Sequence, residues 1–125
     1  MNSVLSYRDL IIWQKGIDLV LEVYKLSDCL PDKEKYGLCS QMQRAAVSVP
    51  ANVAEGHGRD STKEFIRHLS IAKGSLAELE THITIAAKLN FIDQEQFKTF
   101  TTSSQEIARM ISGLQRSLRN KLTSP

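Results

Sequence analysis

From Phe65 onward the apolar residues of this chain step by four and three: Phe65, Leu69, Ala72, Leu76, Leu79, Ile83, Ala86 and Leu89. A helix turning once every 3.6 residues collects that spacing on one stripe, whereas a strand would scatter it over both faces. Such a stripe is the seam of a helix bundle, stable only when other helices cover it. The spacing predicts a helix over residues 62–89. It opens with the capping box Ser61-Thr62-Lys63-Glu64, whose hydroxyl and carboxylate can each satisfy one orphan N–H.

Three more amphipathic helices are expected around it. The first, over residues 9–27, begins after Ser6 with Asp9 in its first turn. Its apolar stripe is Leu10, Trp13, Ile17, Val20, Leu21 and Tyr24. Trp13 lies on that stripe and reads as a core anchor, with base stacking as the functional alternative. The second is expected over 33–55, entered through Pro31, favoured near the dipole by Asp32 and Glu34, and running through Gly37. Met42, Ala45, Ala46, Val49, Val53 and Ala54 give its buried face. Pro50 lacks an N–H and crowds the carbonyl of Ala46, so a kink costing about 3 kcal/mol is expected. Gly56 and Gly58 are expected to stop the helix with a left-handed cap.

The last helix, over 94–120, is expected to follow a cap at Asn90 and a capping box of Asp93 with Gln96. Phe97, Phe100, Ile107, Met110 or Ile111, Leu114 and Leu118 form its buried face, and residues 122–125 are expected to fray. Four such helices with short links predict an all-α, antiparallel up-down-up-down four-helix bundle, a single domain over 1–125. Pairing the second and third helices about their tight turn makes opposing positions sum to roughly 116. Gln41 then falls near Ser75, Arg44 near Ala72 and Ser48 near His68. Ala45, Ala46, Ala72 and Gly74 would let the two helices approach closely. Packing leaves Arg44, Asn52 and Glu55 unaccounted for. They form a register-fixing polar network, or Arg44 joins Arg59 in a nucleic-acid contact.

Composition narrows the function classes. At 42% hydrophobic the chain suits a globular domain, and no apolar run approaches the roughly 18 residues of a membrane span. Residues 1–6 lack the basic region and apolar stretch of a secretory signal, so a cytoplasmic location is expected. Cys29 and Cys39, without a Cys-x-x-Cys pair, read as free thiols. His57, His68 and His82 are too dispersed for a shared metal; on one helix His68 and His82 stand about 21 Å apart. Gly56-His57-Gly58 lacks a strand–loop–helix context for nucleotides. No catalytic, cofactor or metal residue is expected.

The net charge of +2 is small but uneven. From residue 99 onward Arg109, Arg116, Arg119 and Lys121 stand against Glu106 alone. Such a tail suits a phosphate-facing end, or simply the negative end of a helix dipole. The candidate nucleic-acid contacts are Arg44, Arg59, Lys63, Arg67, Arg109, Arg116 and Arg119.

The run Gln41-Met42-Gln43-Arg44-Ala45-Ala46-Val47-Ser48-Val49-Pro50-Ala51-Asn52-Val53-Ala54-Glu55-Gly56 resembles the 23S rRNA intervening-sequence protein family, also called the four-helix bundle protein family. Trp13-Gln14, Glu64-Phe65, Ile71-Ala72-Lys73-Gly74-Ser75-Leu76 and Glu78-Leu79-Glu80 extend the resemblance over about Tyr7 to Leu118. Gln41, Pro50, Asn52, Glu55, Gly56, Gly74 and Ser75 are its motif residues here. The chain departs from the family where Gln43 replaces the first of two arginines before the Ala-Ala pair.

The resemblance implies a small noncatalytic bacterial protein that assembles into a ring, a homopentamer, and works with structured RNA or a ribonucleoprotein. The accessory variability protein of diversity-generating retroelements is similar more distantly. It implies an alternative in which a reverse transcriptase and its template RNA are the partners. A purely protein-binding module is the third class. Ile11, Ile12, Val23, Ile66 and Ile85, apolar and off the main seams, are candidates for a subunit surface.

Overall fold

A computed structural model describes residues 6–123; the expectations for residues 1–5 and 124–125 lie outside it. Four helices dominate: α1 Ile11–Ser27, α2 Leu38–Gly58, α3 Thr62–Lys88 and α4 Gln94–Thr123. Short 3-10 turns at Tyr7–Asp9 and Asp32–Glu34 precede α1 and α2, and the described residues include no strand. The last helix therefore runs through Leu122 and Thr123 rather than fraying near residue 120.

Side chains start α3 and α4 as their types suggest. The Ser61 hydroxyl accepts the Glu64 N–H at 3.2 Å, and Asp93 and Gln96 exchange bonds of 2.8 Å. At α2 the expected start is overturned. The chain makes a 3-10 turn, breaks at Gly37 (φ −112, ψ −107), and becomes α-helical only at Leu38. Glu34 is the reason: its Oε1 accepts the Leu38 N–H at 3.2 Å, capping a helix that begins after it.

The end of α2 is overturned too. Gly56 and Gly58 lie inside the helix, no glycine among the described residues has a positive φ, and Arg59 leaves in extended conformation. Asn90, with φ 64, is the residue that takes up the left-handed turn, after α3. Gly56 is required by contact instead. A Cβ there would stand 2.6 Å from His68 Cβ and 3.1 Å from Phe65 Cδ1.

Contacts across the helices give the topology. Cys39 Sγ approaches the Ser27 carbonyl at 3.5 Å while Gly16 faces Pro50, so α1 and α2 run in opposite directions. Ser48 meets Ser75 and Asn52 meets His68 between α2 and α3. Lys73 meets Ser112 and Gln115 meets Ser70 between α3 and α4. Gln96 meets Cys29 and Lys15 meets Glu106 between α4 and α1. Every pair rises on one helix and falls on the other. Each helix packs against two neighbours, and the backbones of the diagonal pairs α1/α3 and α2/α4 stay apart.

The α2–α3 register is displaced from the expected one: Ser48 opposes Ser75, not His68. Because α2 continues through Gly58, the turn is centred near Asp60, and every facing pair moves accordingly. The expected face of α1 is only partly right: Leu10, Trp13 and Val20 pack against the edge of the core, but other residues form its centre. Ile12, Gly16, Leu19, Val23 and Leu26 are buried, whereas Leu21 and Tyr24 are exposed and Trp13, Ile17 and Val20 only partly covered. A Cβ on Gly16 would lie 3.2 Å from the Pro50 ring. With the one glycine of α1 seated on that ring, Leu21 and Tyr24 are left facing outward. Ile12 and Val23 thus belong to the core, Ile66 is half-buried, and Ile11 and Ile85 are exposed.

The α3 stripe packs as its spacing requires from Leu69 to Ala86, around Met42, Val49, Val53, Phe100, Ile107 and Ile111. Leu89 falls outside it, beyond the last helical residue, and is exposed. Gly74 is exposed with open space where a Cβ would sit, so it does not serve close approach of α2 and α3.

Gly56→Ala gains helix propensity but drives a methyl into the Cβ of a buried histidine. It should cost about 1–3 kcal/mol, read as a lowered urea midpoint at unchanged slope.

Candidate nucleic-acid interface

Between α2 and α3 lies a chain of polar side chains. The hydroxyls of Ser48 and Ser75 share a hydrogen bond of 2.8 Å. Asn52 Nδ2 donates to the Ser48 carbonyl at 2.9 Å and to its hydroxyl at 3.0 Å, and Asn52 Oδ1 stands 3.0 Å from His68 Nδ1. Arg67 reaches back to His68 Nε2 at 3.3 Å and binds Glu64 Oε1 at 2.9 Å. Asn52 and Ser75 are thus joined in one hydrogen-bonded chain across the α2–α3 seam. The other two residues grouped with Asn52 do not join. Arg44 makes no hydrogen bond or ion pair among the described residues. Glu55 turns outward to Arg59 at 2.7 Å.

Two further pins join α3 and α4. Gln115, buried, donates to the Ile66 carbonyl and the Ser70 hydroxyl, and buried Ser104 donates to Glu80. Sequence reasoning passed over both. Their signal was positional: Phe100, Ser104, Ile107, Ile111, Gln115 and Leu118 continue one buried face, so polar residues occupy core positions. No buried side-chain nitrogen or oxygen among the described residues lacks a partner.

The cationic candidates separate into groups. Arg59, Lys63 and Arg67 sit about the α2–α3 turn, at the end where α4 finishes with Arg116, Arg119 and Lys121. Arg8 lies there as well, and the carboxylates at this end are Asp9, Glu55, Asp60 and Glu64, a surplus of three positive charges. The opposite end is balanced, Lys25, Lys33, Lys35, Lys88 and Lys98 meeting Asp28, Asp32, Glu34, Asp93 and Glu95. Two of the candidate arginines are engaged by carboxylates. The hydrogen bond from Arg59 holds Glu55 below the usual carboxylate range, and that from Arg67 does the same for Glu64. Glu64 in turn raises Arg67.

Arg109 and Arg116 are exposed on one outer ridge of α4 with Lys98, Thr102 and Gln105, and no carboxylate interrupts it. They stand about 10 Å apart along the axis. Arg44 cannot extend this ridge, because it projects from α2, the helix diagonal to α4.

The α2 side has another character. Tyr24 and Val47, each almost half exposed at 45% and 44%, border a shallow groove of about 360 Å³ with Ser40, Gln43, Arg44 and Ser48. Leu21 of α1 and Ile71 and Ile85 of α3 are exposed apolar side chains on the two helices that neighbour α2. Exposed apolar side chains thus stand among polar ones about α2, while the diagonal helix carries the cationic ridge. Among the described residues no group of three metal-ligating side chains forms, and no helix is long and apolar enough to cross a membrane.

Asn52→Ala leaves the buried His68 Nδ1 without its partner and should cost about 1–3 kcal/mol. Arg44→Ala should stay within about 0.5 kcal/mol of the parent. Paired urea titrations separate the structural residue from the unengaged one.

A crystal structure at 1.70 Å resolution of a protein of unknown function, from the S23 ribosomal protein family of Bacteroides thetaiotaomicron, has a similar fold. The TM-score is 0.78 at 23% identity, covering 84% of this chain and 98% of that one. At that identity the likeness speaks for the fold. No curated protein matches the chain. The profile described as 23S rRNA-intervening sequence protein matches residues 8–113, nearly the whole bundle. The chain belongs to the 23S rRNA-intervening sequence protein family.

Proposed function

We propose that this protein is a noncatalytic scaffold that assembles from several copies of itself and holds a structured RNA or a ribonucleoprotein. The observation that carries this reading is the two-sidedness of the bundle. Apolar side chains exposed around α2 suit contact with another protein surface, since removing them from water is favourable. The carboxylate-free ridge of α4 and the cationic end suit a phosphate backbone, whose contacts are made by Arg and Lys.

The ring of five comes from the family resemblance, and so does the ribosomal connection, which the structural neighbour's description as a ribosomal-family protein shares. Assembly also answers the modest charge. Copies joined through their apolar sides repeat the α4 ridge around the assembly, multiplying a weak field. A second reading keeps the fold and exchanges the partner for a reverse transcriptase with its template RNA. The apolar α2 side favours it, because that surface suits a protein more than a nucleic acid.

Light scattering on the purified protein, before and after nuclease, tests the assembly. The expected mass is near five times the 14.0 kDa chain, falling to that of single chains in Val47→Glu. A wild-type monomer overturns the assembly. For RNA, Arg109→Ala with Arg116→Ala should weaken binding and lower the slope of log K against log salt by about two. An unchanged slope removes the ridge from the interface.

A further inference from the structure

We propose that His68 is a proton-operated latch on Arg67, and this stands independently of any RNA. The groups on either side of the ring have fixed hydrogen-bonding roles. The Ser48 carbonyl only accepts, so the amide nitrogen of Asn52 must face it at 2.9 Å. Asn52 Oδ1 then faces His68 Nδ1 at 3.0 Å; an amide oxygen also only accepts, so Nδ1 carries the hydrogen. On the other side of the ring the Arg67 guanidinium stands 3.3 Å from Nε2. A guanidinium only donates, so Nε2 must offer its lone pair. Both neighbours demand the same species, the neutral imidazole protonated on Nδ1.

The ring has little freedom to escape that demand. His68 is 4% exposed, and Gly56 packs directly against its Cβ. A proton taken from solvent onto Nε2 converts the acceptor into a donor and sets an imidazolium against a guanidinium. The bond to Arg67 is then lost, while the bond from Nδ1 to Asn52 survives. Glu64 now holds Arg67 through Oε1 at 3.2 and 2.9 Å, and it also precedes His68 by four residues, one helical turn. Its carboxylate can exchange the guanidinium for the imidazolium, and Arg67, already exposed, swings to solvent. Acid thus releases a guanidinium at the cationic end of the bundle.

The charged and titratable groups around the ring are few. α2 contributes Glu55, paired with Arg59, and His57, whose ring lies edge-on to Phe65. α3 contributes Glu64 and Arg67. α4 brings the neutral Gln115 to neighbouring Ile66 and Ser70, with Arg116 and Arg119 at the same end making no bond to the ring.

The test is long-range proton–nitrogen NMR of the full chain labelled with nitrogen-15 in histidine, from about pH 8 to about pH 5. Wild type and Arg67→Ala are compared; Arg67 is exposed, so the variant folds. At the alkaline end His68 should show the hydrogen on Nδ1 in both proteins. Removing the facing guanidinium should move the His68 titration midpoint to higher pH. A hydrogen on Nε2 at the alkaline end, or the same midpoint in both proteins, overturns the latch.

Discussion

At Gly56 the backbone of α2 lies so close to His68 that no β-carbon fits between them. Much else depends on that approach. It lets α2 continue through both glycines and puts the turn near Asp60. The turn then sets which residues of α2 and α3 oppose one another. Only in that register do Ser48, Asn52, His68 and Ser75 meet with every donor facing an acceptor. Close packing and the polar chain reinforce one another, because a buried amide or imidazole is tolerable only when its partners are held in place.

A comparable constraint acts between α1 and α2, where Gly16 lies on the Pro50 ring. A proline ring inside a helix presents a blunt surface and no N–H, and a residue without a side chain is what can sit upon it. This contact rotates α1 and leaves a second apolar stripe, with Leu21 and Tyr24, on the outside. Exposed apolar side chains therefore stand about α2 while α4 presents Arg109 and Arg116. The proposed division of labour, assembly on one side and phosphate contact on the other, grows from a packing event inside the bundle.

The candidate site was unevenly legible. Arg109, Arg116 and Arg119 stood out in sequence because an acid-poor tail is visible by counting, and counting survives folding. Asn52 was legible as a polar residue that apolar packing did not explain. Arg44 looked the same but remains unengaged on the far side from α4, since neighbours in sequence on a helix point to different faces. Gln115 and Ser104 were overlooked because they were weighed as polar residues, although they occupy core positions.

The sequence by itself determined the four helices, their antiparallel order and the core stripe of α3, because those follow from local periodicity, caps and link lengths. It also carried family membership, in the motif around Arg44, Pro50 and Gly56. The tertiary structure alone decided where α2 begins and ends, which stripe of α1 turns inward, and which polar residues meet. A glycine can cap, turn or admit a close neighbour, and the letters of a sequence do not distinguish these uses. The neighbour that distinguishes them lies on another helix, at Pro50 for Gly16 and at His68 for Gly56.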